Sequence, residues 1–251
     1  MIAIISPAKN MVQAQADGVY PSRPQYRAQT ARLHQILKEY TPWQLETLMN
    51  INPQLAFGAF AAYQAFDPDL PGSPALLAYR GLQYQNIAAL DFTPDDFAFA
   101  DRHLRIVSAF YGLLRPSDGI LPYRLELQCK LRVDGESLYS FWGDRLCRDL
   151  FAPGETVINL ASGEYSRAFL PHLREGDRMI TCDFLVPTRD RLRMLPTAAK
   201  TARGQMARYL VKNRIDDPEA LKQFCWGGYR FLPRLSSPSK FTFVQCPEGE
   251  D

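Results

Sequence analysis

Ser6 and Lys9 put a hydroxyl and an ammonium directly after an apolar run at residues 2–5. Ser162, Glu164 and Tyr165 follow a second such run at 157–160. Between them, residues 113–126 crowd Arg115, Asp118, Tyr123, Arg124 and Glu126 among Leu113, Leu114, Ile120 and Leu121. Lys200 and Arg203 add two late cations. Brought together, these side chains can bind a small anionic substrate and offer a carboxylate base or a lysine of lowered pKa. Apolar neighbours draw the 113–126 segment inward, so its charges must be paired or must line a wet cleft. A structural Arg–Asp clamp and a functional cleft both meet that demand. No nucleophile–His–acid order and no metal-ligand spacing singles out a reaction, and no metal or cofactor is called for. The Ser-Gly at 162–163 lacks the glycines and lysine of a phosphate-binding P-loop.

A different chemistry is suggested by charge. Residues 165–214 hold eleven Arg and Lys against four acids, although the whole chain is only +2. Such a concentration can be the footprint of a polyanion. Within it, 197–215 reads as a helix with Ala199, Ala202, Met206, Tyr209 and Leu210 in one stripe. Lys200, Arg203 and Arg214 stand beside the stripe, with Gly204 and Ala207 small between them; Arg208 and Lys212 lie further round. Small residues among cations admit a bulky anionic backbone, while cations snorkelling over a core give the same pattern.

Residues 48–56 read Leu-Met-Asn-Ile-Asn-Pro-Gln-Leu-Ala. This resembles a helix-hairpin-helix, with Asn50 and Asn52 in place of its glycines, Ile51 as the plug and Ala56 at the close approach. Asn is the non-glycine residue that best tolerates a left-handed backbone. Backbone N–H groups of such a hairpin and of the helix start at Gln54 hold a DNA phosphate without reading sequence. An ordinary helical hairpin fits the same residues.

The elements that must position these groups follow from periodicity. Buried strands are expected at 2–5, 157–160, 179–186 and 241–246, with others at 75–79 and 123–132. The exit of the first strand lies where open α/β sheets bind ligands. Helices are expected at 26–40, at 42–49, from 53 to about 66, and at 138–150. A further helix starts at Thr93-Pro94 and runs to Tyr111, where Gly112 ends it. Asp134-Gly135 is a turn, and the acidic tail from Glu248 should be mobile. The fold class is α/β in a mixed α+β form: one compact domain over residues 1–251, with a mixed sheet wrapped by helices.

Composition is that of an ordinary globule, with 46% hydrophobic and 22% charged residues. No apolar run approaches a membrane span, and residues 1–10 lack the character of a signal peptide. Five cysteines without CxxC spacing suit free thiols in a reducing compartment, so a cytoplasmic location is expected.

SPAK after the first strand, then FYGLLRP, PYRLEL, FWGD, INLAS-EY and the ARG of the late helix occur in one order along nearly the whole chain. Together they resemble the bacterial YaaA family of peroxide-stress proteins. The resemblance implies a cytosolic protein that helps limit free intracellular iron under hydrogen peroxide. It also implies binding of double-stranded DNA, through a helix-hairpin-helix element and a basic cleft, on a mixed α/β fold. Asn50, Ile51, Asn52 and Gln54 would be the hairpin contacts, and Lys200, Arg203 and Arg208 the helical ones. The alternative is an enzyme whose cleft gathers Ser6, Lys9, Arg115, Tyr123, Arg124, Glu126, Ser162, Glu164, Tyr165, Lys200 and Arg203 around a small anion.

Overall fold

The apolar run Ile2–Ile5 (β1) is fully buried in a computed structural model that describes residues 1–246. The expected tail from Glu248 lies outside the described residues. Six further strands join β1 in one sheet: Leu104–Ser108 (β2), Gly112–Leu114 (β3), Val157–Leu160 (β4), Met179–Pro187 (β5), Tyr229–Phe231 (β6) and Lys240–Gln245 (β7). Their spatial order is β6-β7-β5-β4-β1-β2-β3, and Leu192–Arg193 pairs with β5 beside that path. The five central strands, β7 through β2, run parallel, and antiparallel β6 and β3 close the two ends. Parallel strands covered on both faces read as near-continuous hydrophobic runs, as Ile2–Ile5 does; Val157–Leu160 departs only at buried Asn159, whose side chain bonds Thr181 and the Ala161 N–H. From β1 the chain moves to β2 and β3 on one side, then returns to β4 on the other. The strand order therefore reverses between β1 and β4, and the crevice outside their carboxyl ends is the expected ligand site of such a sheet.

Helices cover the sheet: Arg27–Leu37 (α1), Pro42–Met49 (α2), Pro53–Gln64 (α3), Leu82–Ile87 (α4), Pro94–His103 (α5) and Pro196–Lys212 (α6). Thr41 caps α2 and Thr93 caps α5, each with its partner three residues on and Pro at the first helical position. The mixed α/β fold is as the sequence implied.

Four local expectations are corrected. The helix from Pro94 stops at His103, and Leu104–Ser108 is a central strand instead. A short run as apolar as Leu-Arg-Ile-Val-Ser fits either period, and the demand of the sheet between β1 and β3 decides. Residues 75–78 form one helical turn rather than a strand, leaving Tyr79–Arg80 to pair with Asn10–Met11. Residues 123–132 pair with no strand, and they turn at 127–129, where the Cys129 N–H donates to the Glu126 carbonyl at 3.0 Å. Tyr123, Leu125, Leu127 and Leu131 still point inward by alternation. Side chains hold this backbone: the Tyr63 hydroxyl donates to the Arg124 carbonyl, and the Gln128 N–H donates to Glu164 Oε1 at 3.3 Å. Finally, the 138–150 helix is split into Leu138–Trp142 and Arg145–Phe151 by Gly143, whose φ of +51° breaks the helix.

Gly112 shows why the FYGLLRP motif needs a glycine. Its φ is +74°, and a Cβ would sit 2.6 Å from the Tyr26 ring and 3.0 Å from Trp142. Among the described residues, no helix is long and apolar enough to cross a membrane.

Candidate anion-binding cleft and hairpin

A cavity of about 290 Å³ opens at the reversal between β1 and β4. Ser6 and Lys9 reach it from the end of β1, Ser162, Glu164 and Tyr165 from the end of β4. Tyr123, Arg124 and Glu126 come from the extended segment, and Lys200 and Arg203 from α6. Of the eleven cleft residues read from the sequence, only Arg115 lies elsewhere. Its guanidinium pairs with buried Asp118 at 3.1 Å, so this half of the crowded loop is the clamp and the Tyr123–Glu126 half is the cleft. Tyr84, Gln83 and Arg80, which the motifs did not flag, complete the wall. They sit on α4 and its approach, and only the tertiary contact of α4 with α6 brings them in.

The two strand ends are tied through their serines. The Ser162 N–H donates to Ser6 Oγ at 2.8 Å, and Ser6 Oγ donates to Ser162 Oγ at 3.3 Å. The Tyr84 hydroxyl donates to the Ser6 carbonyl at 2.9 Å. Tyr123 shares its hydroxyl with Tyr79 and Ser108 at 2.7 and 2.8 Å, and burial pushes it up to about 12. Burial likewise holds Tyr84 and Tyr165 protonated far above neutral pH. These phenols are donors and aromatic walls, not bases.

Charge dominates the remaining surface. Five cations (Lys9, Arg80, Arg124, Lys200 and Arg203) and two carboxylates line the cavity. Lys9 pairs with Glu126 at 2.9 Å. Burial raises the Glu164 carboxyl and the nearby Glu126 charge adds to that, against the Gln128 N–H and Lys9. The Arg124 and Arg203 Nε atoms are buried and have no hydrogen-bond partner among the described residues. An Arg203 terminal nitrogen approaches the Met194 sulfur at 3.7 Å, and burial lowers the Arg203 pKa against the pull of Asp183. A buried guanidinium N–H without a partner is costly unless an anion enters.

The expected anion-admitting face of α6 is different from the sequence reading. Gly204 and Ala207 are buried, and a Cβ on Gly204 would lie 2.3 Å from the Gln83 carbonyl. Their smallness serves the packing of α6 on α4. Arg208 is held by Asp91 at 2.6 Å, and Lys212 and Arg214 are held by buried Asp96 at 2.8 and 2.7 Å. These three cations fasten α6 and the residues just after it to Asp91 ahead of α5 and to Asp96 in its first turn.

The family described as Peroxide stress protein YaaA matches residues 1–235. The chain belongs to this family. A UPF0246 protein of Clostridioides difficile is 39% identical over 246 residues, covering 98% of this chain and 100% of the relative. UPF0246 proteins of Limosilactobacillus fermentum and Acaryochloris marina are 42% and 40% identical over the same shares of each chain. The family is one of peroxide stress proteins, and membership supports a role in that response.

The hairpin residues of this family member lie between α2 and α3. Asn50 has φ +51°, the left-handed state its position implied. Asn52 does not: its φ is −73°, and its side chain caps α3 by accepting from the Leu55 N–H at 2.9 Å. With Pro53 opening α3, an extended cap residue is required before it, and a left-handed one is excluded. Ile51 is half-buried against the core, Ala56 is buried, and Gln54 is exposed. Arg124 and Glu126 of the cleft also line a second hollow of about 240 Å³ that reaches Asn50 and Lys130.

Proposed function

We propose that this peroxide-stress protein binds double-stranded DNA through its phosphodiester backbone, without reading sequence. In this reading the cleft accepts a phosphate and the α2–α3 hairpin another. The carrying observation is continuity: Arg124 and Glu126 belong both to the cation-lined cleft and to the hollow that ends at Asn50. Lys9, Arg124, Lys200 and Arg203 supply the charge, and in the hairpin the backbone N–H groups of Asn52 and Gln54 supply neutral donors, because those of Asn50 and Ile51 already donate to the Glu46 carbonyl. Arg208, compensated by Asp91, contributes little to this surface. As a wider role we propose help in limiting free intracellular iron under peroxide.

The test is duplex binding measured across a salt series. Arg203→Ala and Lys200→Ala should weaken unrelated duplexes about equally, each lowering the salt slope by roughly one. A wild-type protein with no salt-dependent affinity for any duplex ends the reading. The iron role predicts more chelatable iron in peroxide-treated cells that lack the protein, and unchanged iron rejects it.

A second reading, an enzyme for a small anionic substrate, is favoured by the buried, unpartnered Nε atoms of Arg124 and Arg203 beside the raised Glu164 carboxyl. Those arginines would clamp the anion and Glu164 would move a proton. Calorimetry with mononucleotides and phosphorylated metabolites separates the two: saturable binding in the absence of duplex affinity selects the enzyme.

A further inference from the structure

β5 outruns its neighbours. Its last parallel partners are Thr181 facing β4 and Leu185 facing β7, so Val186 and Pro187 extend past the carboxyl edge of the sheet. That edge is the one on which the cleft opens. The chain turns there, with the Thr188 N–H donating to the Arg191 carbonyl at 2.9 Å, and returns through Leu192 and Arg193 paired to Pro187 and Val186. The result is a short antiparallel arm carrying Arg189, Arg191 and Arg193, all exposed, against the single acid Asp190. None of the three arginines has an ion-pair partner among the described residues, in contrast to the paired cations at the far end of α6. The arm's base is joined to the cleft, because Met194, next in the chain, touches the Arg203 guanidinium at 3.7 Å.

We infer that this arm is a second contact for duplex DNA, lying along the phosphodiester backbone where it leaves the cleft. The inference rests on the DNA reading above. An exposed arm whose three guanidinium forks have no ion-pair partner among the described residues has no packing role to explain its charge. Planar forks suit phosphate oxygens in pairs, and a polyanion alone offers several at the spacing of one short arm. A duplex anchored at Arg203 must pass the arm, since both stand on one edge of the sheet.

The experiment replaces Arg189, Arg191 and Arg193 together by Ala in the full chain, and in a second variant by Lys. Anisotropy with a fluorescent duplex is followed from 50 to 200 mM KCl. Three lost phosphate contacts lower the salt slope by roughly 2.7, so wild-type affinity should fall over that range roughly forty-fold more than the Ala variant's. The Lys variant should keep most of the wild-type slope, because the charge remains. Wild-type binding with an unchanged slope in the Ala variant overturns the arm while leaving the DNA reading intact. A Lys variant whose salt slope is as low as the Ala variant's also overturns it, since charge pairing with the phosphates would then not be the cause. Absence of salt-dependent binding in the wild type removes the DNA reading and the arm with it. Because the arm is exposed, both variants should unfold at the wild-type temperature.

Discussion

At the scale of single residues, Arg203 and Arg124 carry the clearest mark of function, because each has a buried Nε that no group among the described residues satisfies. Arg203→Met should therefore weaken anion binding and leave stability unchanged or higher by about 1 kcal/mol, since an uncompensated buried donor is removed. Parallel thermal unfolding and duplex titrations check this; loss of both together would mean the guanidinium is structural. Glu164 gives a pH test. Its folded pKa is raised, so any stability linked to its protonation is complete below the unfolded glutamate value and is lost as pH rises through the folded one. In the same window, protonation removes a negative charge from the cleft. Anion affinity should rise as pH falls from neutrality through that raised pKa, and Glu164→Gln should flatten the response.

At the scale of elements, two contacts position the cleft. Gly204 lets α6 lie against the Gln83 carbonyl of α4, so Gly204→Ala should cost about 1–3 kcal/mol by overpacking and should disturb neighbouring Arg203. A variant as stable as wild type by urea midpoint contradicts that close approach. Asp96 joins α5 to α6. Burial alone would raise its carboxyl, but Lys212, the Thr93 N–H and Arg214 together hold it well below the usual range. Its lowered pKa stabilises the fold above the unfolded carboxylate value and ceases to do so as pH falls through the folded one. Asp96→Asn should cost about 1–3 kcal/mol at neutral pH, discounted because Lys212 and Arg214 are partly hydrated. The difference from wild type should persist down to pH ~4 and shrink only below it. In the hairpin, Asn50→Val should cost about 1–2 kcal/mol through its left-handed backbone, and Asn50→Gly almost nothing. Equal stability of the two would refute that conformation.

At the scale of the molecule, one sheet binds the N-terminal, middle and C-terminal thirds together, since β1 sits between β2 and β4 and the C-terminal β7 packs on β5. Neither half of the chain owns this large sheet, although two small two-strand pairings, at 10–11 with 79–80 and 73–74 with 119–120, fall within the first half. Urea unfolding followed by tryptophan fluorescence and by circular dichroism should therefore give coincident single transitions. Separate midpoints would divide the chain into two units. Electrostatics also belongs to this scale: the +7 of residues 165–214 is largely compensated at the Arg208–Arg214 end of α6 and left free at the arm and the cleft. The field that steers a polyanion is thus set by where acids fold back, and less by how many cations occur in a row.

Several features of this chain were determined by local chemistry and are legible without coordinates. Four of the five parallel strands, at residues 2–5, 157–160, 179–187 and 240–245, are rich in β-branched, aromatic and other apolar residues and are flanked by turn residues. The caps at Thr41 and Thr93 need only their own next three residues. Ser6 and Ser162 follow strand ends, and in a parallel sheet all strand ends that matter lie on one edge, so ten of the eleven cleft residues were readable in advance. What required the tertiary structure is each choice between two local answers of similar energy. Leu104–Ser108 fits a helix until β1 and β3 offer it a place between them. Gly204 looks like room for a ligand until α4 fills it. Arg115, Arg208 and Arg214 look free until Asp118, Asp91 and Asp96, brought by other elements or by a loop's closing, neutralise them. A residue's type states what it can bond to, but only the packed chain decides which partner arrives first, because burial makes the unpartnered state too costly to keep wherever a partner is in reach.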